Sequence, residues 1–284
     1  MSRLVIFANP DKPEAPRLAA EAEREASAMG VEVFVSTRLD DALDRFRPDL
    51  AAVFGGDGTV LAAIAGLGDR LPPIIAFNLG RLGYLANNPP EHTAELIRDA
   101  LLGRLRTSPR IMIEARLLSA GKTWTRSALN EFILTPRQRG RQLPLSVWVD
   151  GEELFGLRGD GIIVATPTGS TAYALSAGGP VASPELPAII LAPICPHQLS
   201  NRSLVLGPDE VVRIRHFSDK AVELLTDGRF SLDMEKDDIL EVKASPIIAR
   251  FLSPAAGRYQ LLREKLGWGW CGGKEEHAKN QGSA

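Results

Sequence analysis

The chain is poor in cysteine, with only Cys195 and Cys271 among its 284 residues. They are far apart, and neither belongs to a Cys-x-x-Cys pair or a Cys/His spacing, so the sequence indicates neither a disulfide framework nor a zinc site. We therefore expect a reducing compartment. Cys195 is expected to be a small buried side chain.

An excess of positive charge is also missing. The 33 Lys and Arg residues are balanced by 35 Asp and Glu residues, which gives a net charge of -2 and a pI near 6.1. A protein that binds a nucleic-acid backbone needs a broad basic field, so we expect no nucleic-acid partner.

Long apolar runs are absent as well. No run approaches the roughly 18 apolar residues of a membrane-spanning helix, and the apolar run after Arg3 is too brief for a signal peptide. The sequence predicts a cytoplasmic protein without a membrane partner.

What is present is an ordinary globular composition, 44% hydrophobic and 24% charged, in a chain long enough for two cores. Up to about residue 105, short apolar runs alternate with helical patterns. The run at 4–8 precedes a helix at about 14–29, and the run at 50–54 leads into a helical pattern at 60–67. Residues 1–105 are therefore predicted to form an α/β nucleotide-binding domain, Rossmann-like, with a mostly parallel sheet.

From about residue 106 the pattern changes to short apolar segments separated by Gly, Asp, Asn and Pro turns, which predicts a β-rich domain over 106–250. Helical spacing returns at 259–266, within a terminal segment of 251–271. Residues 272–284 are polar and are expected to be a disordered tail.

A glycine turn, Gly55-Gly56-Asp57-Gly58-Thr59, follows a buried run and opens a helix. Such a turn exposes backbone N–H groups where a helix N-terminus favours phosphate. An aspartate in a phosphate-binding turn is compatible with phosphoryl transfer to an alcohol, where a magnesium ion or a hydroxyl group meets it. The turn is neither a Walker A loop nor a Gly-x-Gly-x-x-Gly fingerprint, and an ordinary Asp-Gly turn remains the structural alternative.

Three further segments carry polar groups: the glycine loop 78–85, the pair Asn130-Glu131 and the run 159–180, which is rich in Gly, Ser and Thr. The loop follows a strand as the glycine turn does, so both are expected at one edge of the sheet. Asn130-Glu131 interrupts the apolar run 128–134, where two polar residues either point into a cleft or lie on an exposed edge. The run 159–180 offers either a site for a ribose or an ordinary loop.

Taken together, these segments, with 193–202 and Asp227-Gly228, resemble the NAD kinase family in order and spacing. The resemblance implies an α/β domain followed by a β-rich domain, a C-terminal helix that returns to the first domain, and a dinucleotide bound at their junction. It also implies NAD and ATP as substrates, with polyphosphate an alternative donor, a divalent metal, usually magnesium, and a homodimer or homotetramer.

The resemblance further implies roles for particular residues. Asp57 would be the catalytic residue that orients the ribose 2'-hydroxyl or acts as its base, since phosphoryl transfer depends more on orientation than on early proton abstraction. The residues that would bind substrate or donor are Asp57, Gly58, Asn130, Glu131, Arg141, Arg158, Asp160, Thr171, Ala172, Tyr173, Ala174, Leu175, Ser176 and Arg229. Asp160 and the run 171–176 would lie partly across a subunit interface.

The chain departs from the family pattern at two positions that bear on binding. Ala65 stands where an arginine is frequent, so a phosphate contact is either supplied by Arg81 or missing. Arg229 stands where a glutamine is frequent, which alters contacts to a substrate.

Two other functions remain open from the residues. Lipid kinases of the diacylglycerol or sphingosine type share the Gly-Gly-Asp-Gly turn, although no amphipathic membrane helix is evident here. A dinucleotide sensor without catalytic activity would keep the pocket, but retention of Asp57 argues against it.

Overall fold

The computed structural model describes residues 2–36, 46–119, 122–138, 140–198, 200–236, 238–254 and 259–268. Its strands are β1 (Arg3–Ala8), β2 (Glu32–Ser36), β3 (Leu50–Gly55), β4 (Ile74–Asn78), β5 (Arg106–Ser119), β6 (Lys122–Ala128), β7 (Glu131–Pro136), β8 (Leu143–Val149), β9 (Glu152–Gly159), β10 (Gly161–Ala165), β11 (Ile189–Ile194), β12 (Leu204–Leu206), β13 (Val212–His216), β14 (Val222–Thr226), β15 (Phe230–Met234) and β16 (Ile239–Ser253). Its helices are α1 (Ala15–Ala28), α2 (Asp57–Leu67), α3 (Thr93–Leu101), α4 (Tyr173–Ser176) and α5 (Gln260–Leu266). The predicted tail, 272–284, lies outside the described residues.

The N-terminal half is a parallel sheet in the order β2-β1-β3-β4 with helices on both faces. Successive residues of β1 point to opposite faces, and both faces are buried. Leu4 and Ile6 pack with α1 and α3, whereas Val5 and Phe7 pack with α2. The predicted α/β fold with a parallel sheet is confirmed.

The C-terminal half is an antiparallel β-sandwich. One layer is the six-stranded sheet β12-β11-β10-β7-β14-β15, and the facing strands are β5, β6, β8, β9, β13 and β16. Their inner faces share one core, which includes Phe132, Ile162 and Ile214. The predicted β-rich architecture is confirmed.

The two halves share a sheet, because β16 pairs with β5 along most of its length and then runs parallel to β4. Phe251 and Leu252 are buried there against the N-terminal core. The terminal segment 251–271, which was expected to form the C-terminal helix, therefore begins as a strand, because residues 251–253 extend the sheet and the helix begins only at Gln260. Residues up to Ser253 form one compact unit, and α5 belongs to a second.

Two local expectations also need correction. The apolar run 128–134 is two strands, because β6 ends at Ala128 and β7 begins at Glu131 after a turn. Cys195 is exposed rather than buried, since it follows the end of β11 in a left-handed conformation with φ 44°. Within the described ranges, no helix is long and apolar enough to cross a membrane.

Candidate active site

Asp57 joins the two glycine loops. The strand β3 ends at Gly55 and α2 begins at Asp57, so the carboxylate sits in the first turn of the helix. It accepts hydrogen bonds from the backbone N–H groups of Tyr84 (2.8 Å), Leu85 (3.0 Å) and Ala86 (3.0 Å). The expected meeting of the loops at one edge of the sheet is therefore observed.

Gly83 makes this contact sterically feasible. A Cβ atom at that position would overlap the Asp57 carboxylate, so any larger residue would displace either the side chain or the loop. The glycine in the second loop is thus explained by close approach of the aspartate.

Asp227 repeats the same arrangement in the β-rich half. It occupies the turn between β14 and β15 with φ 48°, a left-handed conformation that Asp tolerates better than most residues. Its carboxylate accepts the backbone N–H groups of Leu129 (2.9 Å), Asn130 (2.8 Å) and Glu131 (3.0 Å). These bonds hold the corner between β6 and β7, which explains why the apolar run there is broken.

Burial raises the pKa of Asp227, and this effect is opposed by the three backbone hydrogen bonds and by the charge of Arg229. Removal from water also raises the pKa of the neighbouring Glu131, to about 8, with a further contribution from the charge of Asp227. The backbone hydrogen bond from Tyr173 opposes that rise. At neutral pH, Glu131 is accordingly a neutral acid that can both donate and accept a hydrogen bond.

Glu131 is only 5% exposed, and its Oε2 atom has no hydrogen-bond partner. A buried polar atom without a partner is costly, which is typical of sites that a ligand completes. The adjacent Asn130 is half-buried at the same corner.

The Thr-rich segment after β10 packs against the same corner. The Thr166 backbone N–H donates to the Asn130 carbonyl at 2.8 Å, and its hydroxyl donates to the Leu129 carbonyl at 2.5 Å. That hydroxyl also accepts the Gly169 N–H at 3.1 Å. These bonds bring the residues Thr171–Ser176 beside Glu131, with Ala174 buried and Tyr173 44% exposed.

Arg229 connects the β-rich half to the first glycine turn. Its Nη1 atom donates to the Gly58 carbonyl at 3.1 Å, two residues along the chain from Asp227. One continuous set of hydrogen bonds and adjacent residues therefore runs from Asp57 and Gly58 to Asn130 and Glu131.

Three predicted site residues are not part of this set. Arg141, Arg158 and Asp160 are exposed and lie near the start of β10, whereas Glu131 pairs with Ala165 at its end. At roughly 3.3 Å per residue, the strand separates the two groups by on the order of 15 Å. A single chain does not bring them together.

The structure also adds residues that the sequence did not single out as functional. Tyr84 holds Asp57 through its backbone, and burial followed by the charge of Asp57 raises the pKa of its phenol. Lys12 lines a cavity of about 700 Å³ beside the glycine turn, in the loop that follows β1. An Asn-Pro-Asp-Lys turn directly after a buried strand was the available signal for Lys12, because ligands of such sheets bind beyond the strand ends.

For the contact that Ala65 lacks, the sequence left two alternatives, Arg81 or no replacement, and Arg81 is not among the described residues that line this cavity. The cations among the described lining residues are Lys12 and Arg229. Ala65 is exposed and lines a neighbouring cavity of about 210 Å³, which Arg229 also borders.

A resident metal centre is not built into the described part of the chain, which has no group of three His, Cys, Asp or Glu side chains that could hold a metal ion. Both oxygens of Asp57 already accept backbone N–H groups. These residues do not fit a divalent ion caged by protein ligands. Magnesium commonly binds through substrate phosphates instead.

A parallel α/β half, a β-sandwich and an aspartate at a glycine turn beside a cavity define a phosphotransferase of the nucleotide-binding type. The family model of the ATP-NAD kinase N-terminal domain matches residues 41–105, and that of the C-terminal domain matches residues 129–253. An NAD kinase of Syntrophotalea carbinolica is 35% identical, with 95% of this chain and 99% of the relative covered.

Solved structures agree with these matches. Yeast NADH kinase in complex with NADH has a TM-score of 0.88 at 25% identity, covering 96% of this chain and 89% of that one. An NAD kinase from Archaeoglobus fulgidus in complex with ATP has a TM-score of 0.78 at 28% identity, covering 94% and 99%. The chain belongs to the NAD kinase family, and its activity is the phosphorylation of NAD to NADP by ATP. The lipid-kinase alternative is not supported.

Proposed function

We propose that the chain transfers the terminal phosphate of ATP to the 2'-hydroxyl of the adenosine ribose of NAD, with Asp57 as the residue that orients this hydroxyl. The observation that carries the proposal is the connected set of contacts around Asp57. The second glycine loop holds its carboxylate, and Arg229 links the neighbouring Gly58 to the turn that supports Asn130 and Glu131.

The three N–H donors define how Asp57 acts. A carboxylate has about four acceptor directions, so three bonds leave about one for a substrate hydroxyl. Because the side chain is held on both oxygens, that direction is fixed. Orientation of the attacking oxygen is what a loose phosphoryl-transfer transition state requires most.

The acceptor dinucleotide is proposed to contact Gly58, Asn130, Glu131 and the segment Thr171–Ser176. Glu131 in its neutral form can pair with a group that has both a donor and an acceptor, which suits a purine edge or a ribose. Asn130 offers an amide at the same corner, and the exposed Tyr173 ring can stack on a base. The Oε2 atom of Glu131 would thereby gain the partner that it lacks.

ATP is proposed to bring the divalent metal, magnesium, with its phosphates, and polyphosphate is a second candidate donor. We place the enzyme in the cytoplasm. As a homodimer or homotetramer, it would use Arg141, Arg158 and Asp160 of one subunit to complete the site of another, because these residues are remote from Glu131 in their own chain.

The decisive test is NADP formation from NAD, ATP and magnesium by the purified chain, followed with an NADP-specific coupled dehydrogenase. Product dependent on both ATP and NAD is expected. The same assay with polyphosphate and with NADH defines donor and acceptor preference. Tight NAD binding without NADP formation from any donor would identify a sensor and defeat the proposal.

A mixing experiment tests the shared site. Asp57→Asn and Asp160→Ala subunits are each expected to be weakly active alone. After dissociation and reassociation together, part of the activity should return, because one mixed interface then carries both intact residues. No recovery in reassembled oligomers would place Asp160 outside the partner's site.

A further inference from the structure

The cavity beside the first glycine turn is lined by both apolar and polar residues. Its described walls include Phe7, Ala8, Ala62 and Ala63, and its polar groups come from the segment Asn9–Lys12, the glycine turn and Arg229. With a volume of about 700 Å³, it falls within the range of small-molecule sites. It opens at the N-terminus of the 11-residue helix α2, where backbone N–H groups favour anions.

Two cations reach this cavity from segments that are remote in sequence. Lys12 comes from the loop between β1 and α1, and a Cβ atom at Gly80 would lie 3.2 Å from its Nζ atom, so the ammonium group also borders the second glycine loop. Arg229 comes from the turn between β14 and β15. Among the described lining residues, Asp11 is the only carboxylate, so the cations exceed the anions.

The contact of Arg229 orients it for a further role. A guanidinium group has five N–H donors in a rigid plane, and the bond to the Gly58 carbonyl accounts for one of them. Since Arg229 is exposed, this single bond to a surface carbonyl contributes little to stability. It does place the group at the edge of the first glycine turn.

We propose that Lys12 and Arg229 together bind the phosphate chain of the donor in this cavity, and that Arg229 therefore determines donor affinity rather than affinity for NAD. The inference rests on the proposed function, and it assigns Arg229 to the donor side of the reaction centre. Arg229 is held at the glycine turn, whereas its neighbour Asp227 supports the acceptor side. The turn between β14 and β15 thus serves both substrates through two residues that are separated only by Gly228.

The test compares Arg229→Gln, Arg229→Lys and Lys12→Met with the full-length enzyme by steady-state kinetics for ATP and for NAD. Gln can still donate a hydrogen bond to the Gly58 carbonyl, but it has no charge. The variant therefore distinguishes a role of the Arg229 charge in ATP binding from a purely structural role of the contact with Gly58. We expect the KM for ATP to rise about 10- to 100-fold in Arg229→Gln and in Lys12→Met, as for loss of a charge-assisted hydrogen bond, with the KM for NAD changed less than about threefold. Arg229→Lys should lie between wild type and Arg229→Gln.

Inorganic tripolyphosphate serves as a probe of the phosphate chain alone. Followed as ADP formation, so that transfer from tripolyphosphate itself is not counted, the wild-type reaction should be inhibited competitively against ATP. The inhibition constant should rise in both charge-removing variants in parallel with the KM for ATP. Arg213→Gln is the matched control, because Arg213 is an exposed arginine paired with Glu241 far from the cavity. Its KM values should equal those of wild type.

The proposal is overturned if Arg229→Gln keeps the wild-type KM for ATP, or if it raises only the KM for NAD. The proposal is equally overturned if Arg81→Gln raises the KM for ATP and Arg229→Gln does not. If the wild-type chain forms no NADP, the proposed function fails first. If wild type is active and the variants behave like it, only the present inference fails.

Discussion

Asp57 and Asp227 each accept hydrogen bonds from three consecutive backbone N–H groups of a distant loop, yet their surroundings differ. Asp57 begins a helix beside an open cavity, whereas Asp227 lies in a tight turn with its carboxylate surrounded by protein. Burial raises the pKa of Asp227 and, next to it, that of Glu131. The same local motif therefore holds the proposed catalytic carboxylate in one place and an internal corner of the fold in the other.

This contrast predicts that removing the charge of Asp57 mainly affects the reaction. Asp57→Asn keeps the size of the side chain but weakens its hold on 84–86 and on the substrate hydroxyl. We expect turnover to fall by at least about 10²- to 10⁴-fold, the range of a lost acid–base or orienting group, while NAD binding stays measurable. Coupled kinetics and calorimetric titration with NAD check the two parts. Near-normal turnover would remove Asp57 from the reaction centre.

The buried carboxyl groups of Glu131 and Asp227 should instead make the free energy of unfolding depend on pH. The folded-state pKa of Glu131 is about 8 against an ordinary value of 4.5, so its contribution to stability is complete below about pH 4.5 and is lost as the pH rises through 8. The pKa difference of 8 − 4.5 = 3.5 sets an upper bound of about 5 kcal/mol on the loss of unfolding free energy. Because Glu131 titrates together with Asp227, we expect a loss of about 2 to 4 kcal/mol. The raised pKa of Asp227 acts with the same sign.

Denaturant unfolding between pH 5 and 9 measures this loss, and Glu131→Gln provides the comparison. The variant should have a flatter profile than wild type, with the curves converging at low pH. Equal slopes in wild type and Glu131→Gln would show that Glu131 titrates normally.

Asp227→Asn tests whether the second carboxylate is structural. Asn cannot accept three N–H groups as a charged carboxylate does, so the corner at 129–131 loses part of its support. We expect the free energy of unfolding to fall by about 2 to 4 kcal/mol, and the KM for NAD to rise more than kcat falls. Chemical denaturation and kinetics at a temperature where the variant is folded give both quantities. If kcat instead collapses as in Asp57→Asn while stability is kept, the distinction between the two aspartates fails.

The sequence predicts the features that depend on residues close together in the chain, and it does not predict those that depend on contacts between distant residues. The strands and helices around Asp57 are local patterns, and the meeting of two glycine loops follows from parallel strands ending at one edge. Gly83 could be recognised as part of a loop, but its reason, the approach of Asp57, is a tertiary contact.

The Asp227 side was harder to predict. Its hydrogen bonds join residues 96 to 98 positions apart, and they break an apolar run that alone resembles one strand. The pairing of β16 with β4 and the cavity position of Lys12 likewise depend on contacts between distant segments. Local apolar and turn patterns carry no information about which remote residue supplies a bond.

Thr166→Val gives the smallest expected effect and sharpens the comparison, because Thr166 supports the same corner as Asp227 with neutral hydrogen bonds. Val has nearly the same shape but loses the bonds to the Leu129 carbonyl and from the Gly169 N–H. Both groups become unsatisfied in a buried position, so we expect a loss of about 1 to 2 kcal/mol, less than for Asp227→Asn. Urea unfolding of the single variants and of the double variant measures the coupling of the two supports. A double variant that loses the sum of the single effects would show that Thr166 and Asp227 act independently, whereas a smaller loss would show that they hold the corner as one unit.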